Sequence, residues 1–401
     1  MKKIMWNSCR MWSPRTLRPL ELVIGYRVVP QKLRGKWLLH MLDRSGPTYV
    51  KFGQFISNRS DIFGQLSSDL APLRDRVTPV DFDQFKSIIP DAITEVDPIP
   101  IASASVAQIH RAKLGKRNVV LKFKRPNIEY QMKDDLRLIR NGVNFLANFG
   151  FDFILKWLNE FEKGLLSELN FRDEVLNLSI FRQIYRDRTD ILIPRPYSKL
   201  STNDLIVMDY VPSVSIQKPF SAERLINMFL EQLLYEGVIH GDLHSGNIGR
   251  SDDALVIYDF GNIIQISEKY RDGIRKFIFA VQTSDLDKMI DAMIYMGMIV
   301  RDRETTKLFM KQYLNYLTTL DFKSFNITEE LKEKASKVPV ELDATTLVVL
   351  KSYSLLEGLC KELDPNFSYQ KIVLTNVEML MLDLDNIFNS IGFVSQSPEK
   401  N

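Results

Sequence analysis

The chain has 401 residues, 45% of them hydrophobic, 26% charged and 10% aromatic. That composition excludes a mostly disordered, collagen-like or coiled-coil chain, and the length suits two or three domains at roughly 100–200 residues each. The formal net charge is only +3, so no broad basic surface for nucleic acid is expected.

The first 37 positions hold nine Lys and Arg residues against one acid, Glu21. This basic arm suits an exposed tail, a targeting segment or a membrane-surface contact, so a cytoplasmic, membrane-peripheral or mitochondrial setting all stay open. No apolar run reaches the ~18 residues of a membrane-spanning helix. Cys9 and Cys360 form neither a disulfide framework nor metal-ligand spacing, which fits a reducing compartment.

Apolar residues from Trp37 to Leu70 recur at helical spacing, which predicts a helical extension over 38–95 that ends in a connector marked by Pro79, Pro90, Pro98 and Pro100. Ser105–Lys113 and Asn118–Lys124 then alternate as strands around a Gly115–Lys116 turn. Helical spacing returns from Glu129 to Ile184 with a break at Gly150. Ile191–Pro196 and Leu205–Val211 read as two more strands, which close a smaller lobe over 96–211. Ser221 suits the cap of a helix from Ala222 to about Glu236, with Gly237 at its end. A hairpin of Gly246–Gly249 and Ala254–Tyr258 follows. The remainder to Asn389 is mostly helical, completing a larger lobe over 212–395, with a loose tail at Ser395–Asn401. The order predicts an α+β protein of two lobes behind a helical extension.

Three segments carry chemistry. Lys122 sits in the strand Val120–Phe123; taken alone it reads as a solvent-facing strand position. His240-Gly241-Asp242-Leu243-His244-Ser245-Gly246-Asn247 and Tyr258-Asp259-Phe260-Gly261 flank the hairpin. Phosphoryl transfer from ATP needs a Lys for the phosphates, a helix carboxylate to hold it, and an Asp for the nucleophile's proton. It also needs an Asn five residues on and a later Asp for Mg²⁺. Lys122, Asp242, Asn247 and Asp259 occur in that order, with Asp259 following Asp242 by 17 residues. Glu174 is the expected helix carboxylate, although alone it reads as a surface charge. His240, Asp242 and His244 also allow a zinc reading, disfavoured because no further His or Cys clusters there. His40 and His110 read as isolated polar or half-buried residues.

Two departures from ordinary protein kinases stand out. Ile101-Ala102-Ser103-Ala104-Ser105-Val106-Ala107-Gln108 replaces a Gly-x-Gly-x-x-Gly loop. A helix begins by about Glu268, leaving no room for a long activation loop, and there is no Ala-Pro-Glu. A protein substrate is therefore not expected.

With Gly46-Pro47-Thr48-Tyr49-Val50-Lys51-Phe52-Gly53-Gln54, Ser57–Asp61 and the alanine-rich stretch Ala102–His110, the chain resembles the UbiB family of atypical kinases, which includes the Coq-type and ADCK-type proteins. The short stretch before Lys51 makes the bacterial branch the nearer one. The resemblance implies a two-lobed protein-kinase-like fold with the N-terminal helical extension packed over the active site. It implies that Lys51 and Gln54 gate the site, that Glu168 pairs with Lys51 and Glu174 with Lys122, and that Ala102, Ala104 and Ser105 contact nucleotide. The hinge at Met208–Val211 would meet adenine through its backbone. Asn170 stands where the family has the second acid of a Glu-x-Asp element, which removes a charge from the Lys51 contact. Members often end in transmembrane helices; here any membrane contact would be peripheral.

The leading expectation is an Mg-ATP-dependent atypical kinase or ATPase that transfers phosphoryl to water or to a small or lipid acceptor, in support of ubiquinone or related prenyl-lipid biosynthesis. A lipid or quinone precursor would be its further ligand. The competing expectation is a nucleotide-regulated lipid-binding scaffold without turnover, which has no need of the full Asp242, Asn247 and Asp259 set. An antibiotic-kinase type of phosphotransferase shares the catalytic loop but not Lys51–Gln54.

Overall fold

The computed structural model describes residues 18–57, 64–73, 78–147, 153–216, 222–319 and 340–364. The basic arm up to residue 17, Asn58–Asp61, Gly150, Ser221 and the tail Ser395–Asn401 lie outside the described residues. The chain divides into two units, Met1–Arg182 with Pro194–Val211, and Gln183–Ile193 with Pro212–Asn401.

The first unit begins with helices α1 (Arg18–Val28), α2 (Arg34–Ser45), α3 (Pro47–Ser57) and α4 (Gln65–Leu70). A 3-10 turn over Phe82–Ile88 leads to strands β1 (Ile93–Thr94), β2 (Ala102–Ser103), β3 (Ala107–Leu114) and β4 (Arg117–Lys124). The β3–β4 turn is the expected one: Leu114 faces Arg117, and Gly115 takes φ +59°, a left-handed conformation that glycine adopts without strain. Helices α5 (Ile128–Ala147), α6 (Phe153–Ser167) and α7 (Phe171–Ile184) follow. Strand β6 (Leu205–Asp209), which comes after β5 (Ile191–Leu192) in the chain, pairs antiparallel with β4.

Strand β4 has both faces covered. Val119, Leu121 and Phe123 pack with Phe85, Ile93, Ala112, Leu205 and Val207 in one core. On the other side, Val106, Ala107 and Ile206 join Leu42, Tyr49, Ile56 and Leu70 of the extension with Met132, Leu136, Phe161 and Leu165. The helical extension thus shares a core with α5 and α6. Period-two alternation sends Val120, Lys122 and Lys124 to the face opposite Leu121. Lys122 is only 8% exposed, so the solvent-facing alternative for it does not hold.

In the second unit β5 runs parallel to β10 (Ala254–Ile257), which pairs with β9 (Ile248–Ser251), itself paired with β7 (Val214–Ser215). The expected strand over Ile191–Pro196 is thus only two residues long, and the chain from Pro194 returns to the first unit. Helix α8 (Ala222–Glu231) runs into a wider π turn over Gln232–Glu236, closed by Gly237 at φ +69°. Sequence spacing missed several short pairs, among them β8 (Val238–His240) against β11 (Ile263–Gln265), with His240 opposite Ile263. At three residues each, these strands are too short for alternation to register. Helices α9 (Glu268–Gln282), α10 (Leu286–Met296), α11 (Arg303–Thr319) and α12 (Ala344–Leu363) complete the described residues, with a short β12 (Ile299–Val300) paired to β13 (Val340–Glu341). Among the described residues no helix is long and apolar enough to cross a membrane.

Candidate active site

In the first unit Lys122 Nζ donates to Glu174 Oε1 at 2.6 Å, with side-chain exposures of 11% and 6%. Glu174 reaches the strand because α7 buries Phe171, Glu174, Val175 and Leu178, an i, i+3, i+4, i+7 face. Phe171 lies beneath the pair, its ring 5.6 Å from Lys122 Nζ. An ion pair this far from water is held by geometry, since desolvation offsets much of the Coulomb gain. Lys51 of α3 pairs with Glu168 at 2.9 Å, and both are partly exposed. Gln54 lies on the same helix, half-buried. Asn170 turns to its own helix: its amide donates to Asp173 Oδ2 at 2.6 Å and its carbonyl accepts from Asp173 N at 3.4 Å, so it caps α7.

The alanine-rich stretch forms β2 and then a turn closed by Ala104 N donating to Ala107 O at 2.8 Å. Ala102 is exposed, Ala104 half-buried and Ser105 buried. Met208 lies in β6 opposite Val120, and Val211 is the last residue of the first unit. His110 is fully buried, not half-buried as expected: its ring sits among Phe82, Phe85 and Phe123, with centroids 5.0, 6.1 and 5.6 Å away.

In the second unit Asp242 and Asn247 lie between β8 and β9, and Asp259 between β10 and β11. The two short strand pairs therefore anchor both loops at their ends. His240 ties the loops together: its Nδ1 accepts from Asp242 N at 3.3 Å and its Nε2 donates to Asp259 O at 2.5 Å. Burial holds the His240 pKa below the usual imidazole value, which favours the neutral ring that this bonding needs. Both ring nitrogens are engaged, so His240 has none left for zinc. Asn247 donates from Nδ2 to Asp242 O at 3.0 Å, which leaves its Oδ1, a hard oxygen, outside that bond. Asp259 Oδ1 accepts from Gly261 N at 2.9 Å. One carboxylate and one amide oxygen fit Mg²⁺, which keeps several waters and leans on phosphate oxygens, better than a metal needing a full protein cage. No group of three or more His, Cys, Asp or Glu suited to a metal occurs among the described residues.

Residues 73–293 match the ABC1 atypical kinase-like domain. The chain belongs to the ABC1 atypical kinase-like family. The match takes in the alanine-rich turn, Lys122, Glu174 and both loops of the second unit. Relatives include the chloroplastic Activity of BC1 complex kinase 8 of Arabidopsis thaliana, 29% identical over 86% of this chain and 54% of that protein. The probable protein kinase UbiB of Xylella fastidiosa is 27% identical over 88% of this chain and 70% of its own length. The chain spans about half the length of the Arabidopsis relative. Among solved structures, Rv3197 of Mycobacterium tuberculosis, determined with erythromycin, superposes with a TM-score of 0.51 over 79% of this chain and 91% of that one at 20% identity. That likeness is one of fold, and with the family it makes this chain a protein-kinase-like α+β protein whose UbiB kinship extends beyond motifs.

The residues that spacing did not single out are Phe171, Arg125 and Gln108. Phe171 adjoins the Glu-x-Asp-type element, and an aromatic three residues before the helix carboxylate was its available signal. Arg125 and Gln108 act through bonds to distant backbone, for which linear spacing holds no signal.

Proposed function

We propose that this ABC1-family chain is a kinase-type enzyme that uses Mg-ATP and passes the γ-phosphoryl group to water or to a small or lipid hydroxyl, in quinone or prenyl-lipid metabolism. The observation that carries this reading is the buried Lys122–Glu174 pair at 2.6 Å. An ammonium fixed in this way on a central strand stands ready to neutralise nucleotide phosphates, the task of the kinase strand lysine. Asp242 is the proposed acceptor of the nucleophile's proton; it is half-exposed, as a base that must meet a substrate has to be. His240 holds Asp242 and Asp259 through their backbones. Asn247 and Asp259 would hold Mg²⁺, which when bound neutralises charge on the phosphate oxygens. Ala102, Ala104, Ser105, Met208 and Val211 are the proposed nucleotide contacts, and Lys51, Gln54 and Glu168 the proposed gate. The quinone part of the reading rests on the resemblance to the UbiB family, which the relative named a probable protein kinase UbiB supports.

The test is calorimetric titration with ATP, with and without Mg²⁺, alongside phosphate release, using Asp259→Asn as control. Magnesium-dependent binding with slow release, both lost in the variant, is expected. Binding with no release, even with anionic vesicles present, would favour the nucleotide-regulated scaffold. Absence of nucleotide binding would overturn both.

A further inference from the structure

The alanine-rich turn is fastened from outside itself. Arg125 follows β4 and precedes Pro126, a position biased toward extended backbone. From its guanidinium, Nε donates to Ala104 O at 2.8 Å, and Nη2 donates to Ser103 Oγ at 2.8 Å and to Thr78 O at 2.7 Å. Its backbone N–H donates to Val106 O at 2.9 Å. One residue therefore grips both sides of the turn and also the connector that arrives from the helical extension. A planar guanidinium offers donors in fixed directions, so these bonds set orientation as well as proximity.

Gln108 repeats the connection on the neighbouring strand. Val80 N donates to Gln108 Oε1 at 2.8 Å, and Gln108 Nε2 donates to Val80 O at 3.0 Å. The same amide lies 2.8 Å from His110 Nε2, and His110 Nδ1 lies 2.7 Å from Asp97 O. With Gln108 as donor, His110 accepts at Nε2 and donates from Nδ1, a tautomer assigned by the network. Gln108 and His110 are both fully buried. Thr78 and Val80 are thus held side by side against β3 and the turn.

We infer that Arg125 is a positioning residue for nucleotide: it holds the Ser103–Val106 turn in one shape and couples that shape to the connector at Thr78–Val80. The inference rests on the nucleotide role proposed above for this turn. A turn that binds through backbone groups gains affinity when it is ordered beforehand, because binding then has less chain to immobilise. Arg125 supplies that order through its bonds to Ala104, Ser103 and Val106.

The full chain and the variants Arg125→Ala, Arg125→Lys, Ser103→Ala and Ser103→Ala/Arg125→Ala would be titrated calorimetrically with Mg-ADP, with thermal unfolding recorded in parallel. Arg125→Ala should weaken binding about tenfold, and Arg125→Lys, which keeps the charge and loses the fork, about threefold. Ser103→Ala should cost about twofold alone and nothing further in the Arg125→Ala background, since the two share one bond. A purely structural role would lower the melting temperature without that non-additivity. Affinity within about twofold of the parent for Arg125→Ala, or losses that multiply in the double variant, would overturn the inference. Should Arg125→Ala not fold, unchanged affinity in both Arg125→Lys and Ser103→Ala would overturn it. A parent chain that binds no Mg-ADP overturns the proposed function and this inference together, whereas a binding parent with an unaffected Arg125→Ala overturns this inference alone.

Discussion

Replacing Glu174 by leucine removes the carboxylate 2.6 Å from the Lys122 ammonium, whose side chain is 11% exposed, and puts an apolar side chain in its place. Breaking one side of a buried pair costs about 3–5 kcal/mol. A ceiling on that cost is set by the alternative of giving up the proton: neutralising an ordinary lysine at pH 7 costs about 4.6 kcal/mol, from a reference value near 10.4 and about 1.36 kcal/mol per pH unit. At pH 9 the same ceiling is about 2 kcal/mol. The sign follows from linkage. Loss of the carboxylate disfavours the charged lysine in the folded variant relative to the unfolded chain, so the unfolded state binds more protons as pH nears the lysine range and the variant's deficit narrows. Adding Lys122→Met removes the buried charge, and the double variant should recover the parent's stability or exceed it by about 1–4 kcal/mol, while losing nucleotide binding. Urea denaturation of parent, single and double variants at pH 7 and pH 9 measures all of this. A loss below about 1 kcal/mol in Glu174→Leu at pH 7, or a double variant no more stable than the single one, would refute the view that the pair is kept for function at a cost in stability.

Two further outcomes follow from other parts of the molecule. Gly53, between Lys51 and Gln54, is buried where an added Cβ would fall 2.1 Å from Leu73 Cδ1 and 2.9 Å from Leu42 Cδ1. Gly53→Ala should therefore destabilise by about 1–3 kcal/mol through overpacking, read by thermal unfolding, and an unchanged melting temperature would contradict the packing. In the second unit Arg188 grips Asp190 through two bonds at 2.7 and 2.8 Å, and this holds the Asp190 carboxyl below the usual carboxylate range. Such a group stabilises above its unfolded pKa and loses that contribution as pH falls through the folded one, so Asp190→Asn should cost at most about 1 kcal/mol at pH 7 and less at pH 3. A difference in urea midpoint that stays the same at both pH values would speak against it.

The order of helices, the β3–β4 hairpin and the β9–β10 hairpin were legible because apolar periodicity and turn residues are local. Lys122, Glu174, Lys51 and Glu168 were legible as types in a pattern, and the structure makes the Lys122–Glu174 and Lys51–Glu168 pairings. What sequence spacing missed is non-local. The β8–β11 pair joins strands too short to alternate, and Gln108 meets Val80 across 28 positions. Asn170 shows a different limit. Its place in the motif suggested a weakened contact with Lys51, yet its amide turns to Asp173 and caps the helix, a use that asparagine serves as readily as aspartate.

Strand β4 shows why two buried lysines need not have one meaning. Lys122 and Lys124 point to the same face and share the ring of Phe171, at 5.6 and 5.2 Å. Their polar surroundings differ. Lys122 has a carboxylate at 2.6 Å, itself buried, supplied by a helix that spends an inward position on it. Lys124 faces an exposed Asp204 at 3.4 Å and a half-buried Glu129 at 3.9 Å, and leans on the ring and its own aliphatic stem. A cation that merely fills a strand position can be accommodated in this second way, with carboxylates reaching in from the rim. Burying an acid as well to fix the ammonium at hydrogen-bond distance is the costlier arrangement, and it occurs at the lysine that precedes Asp242, Asn247 and Asp259 in the chain order phosphoryl transfer requires. The asymmetry between the two lysines, more than burial of either, is what supports the proposed role of Lys122 over one for Lys124.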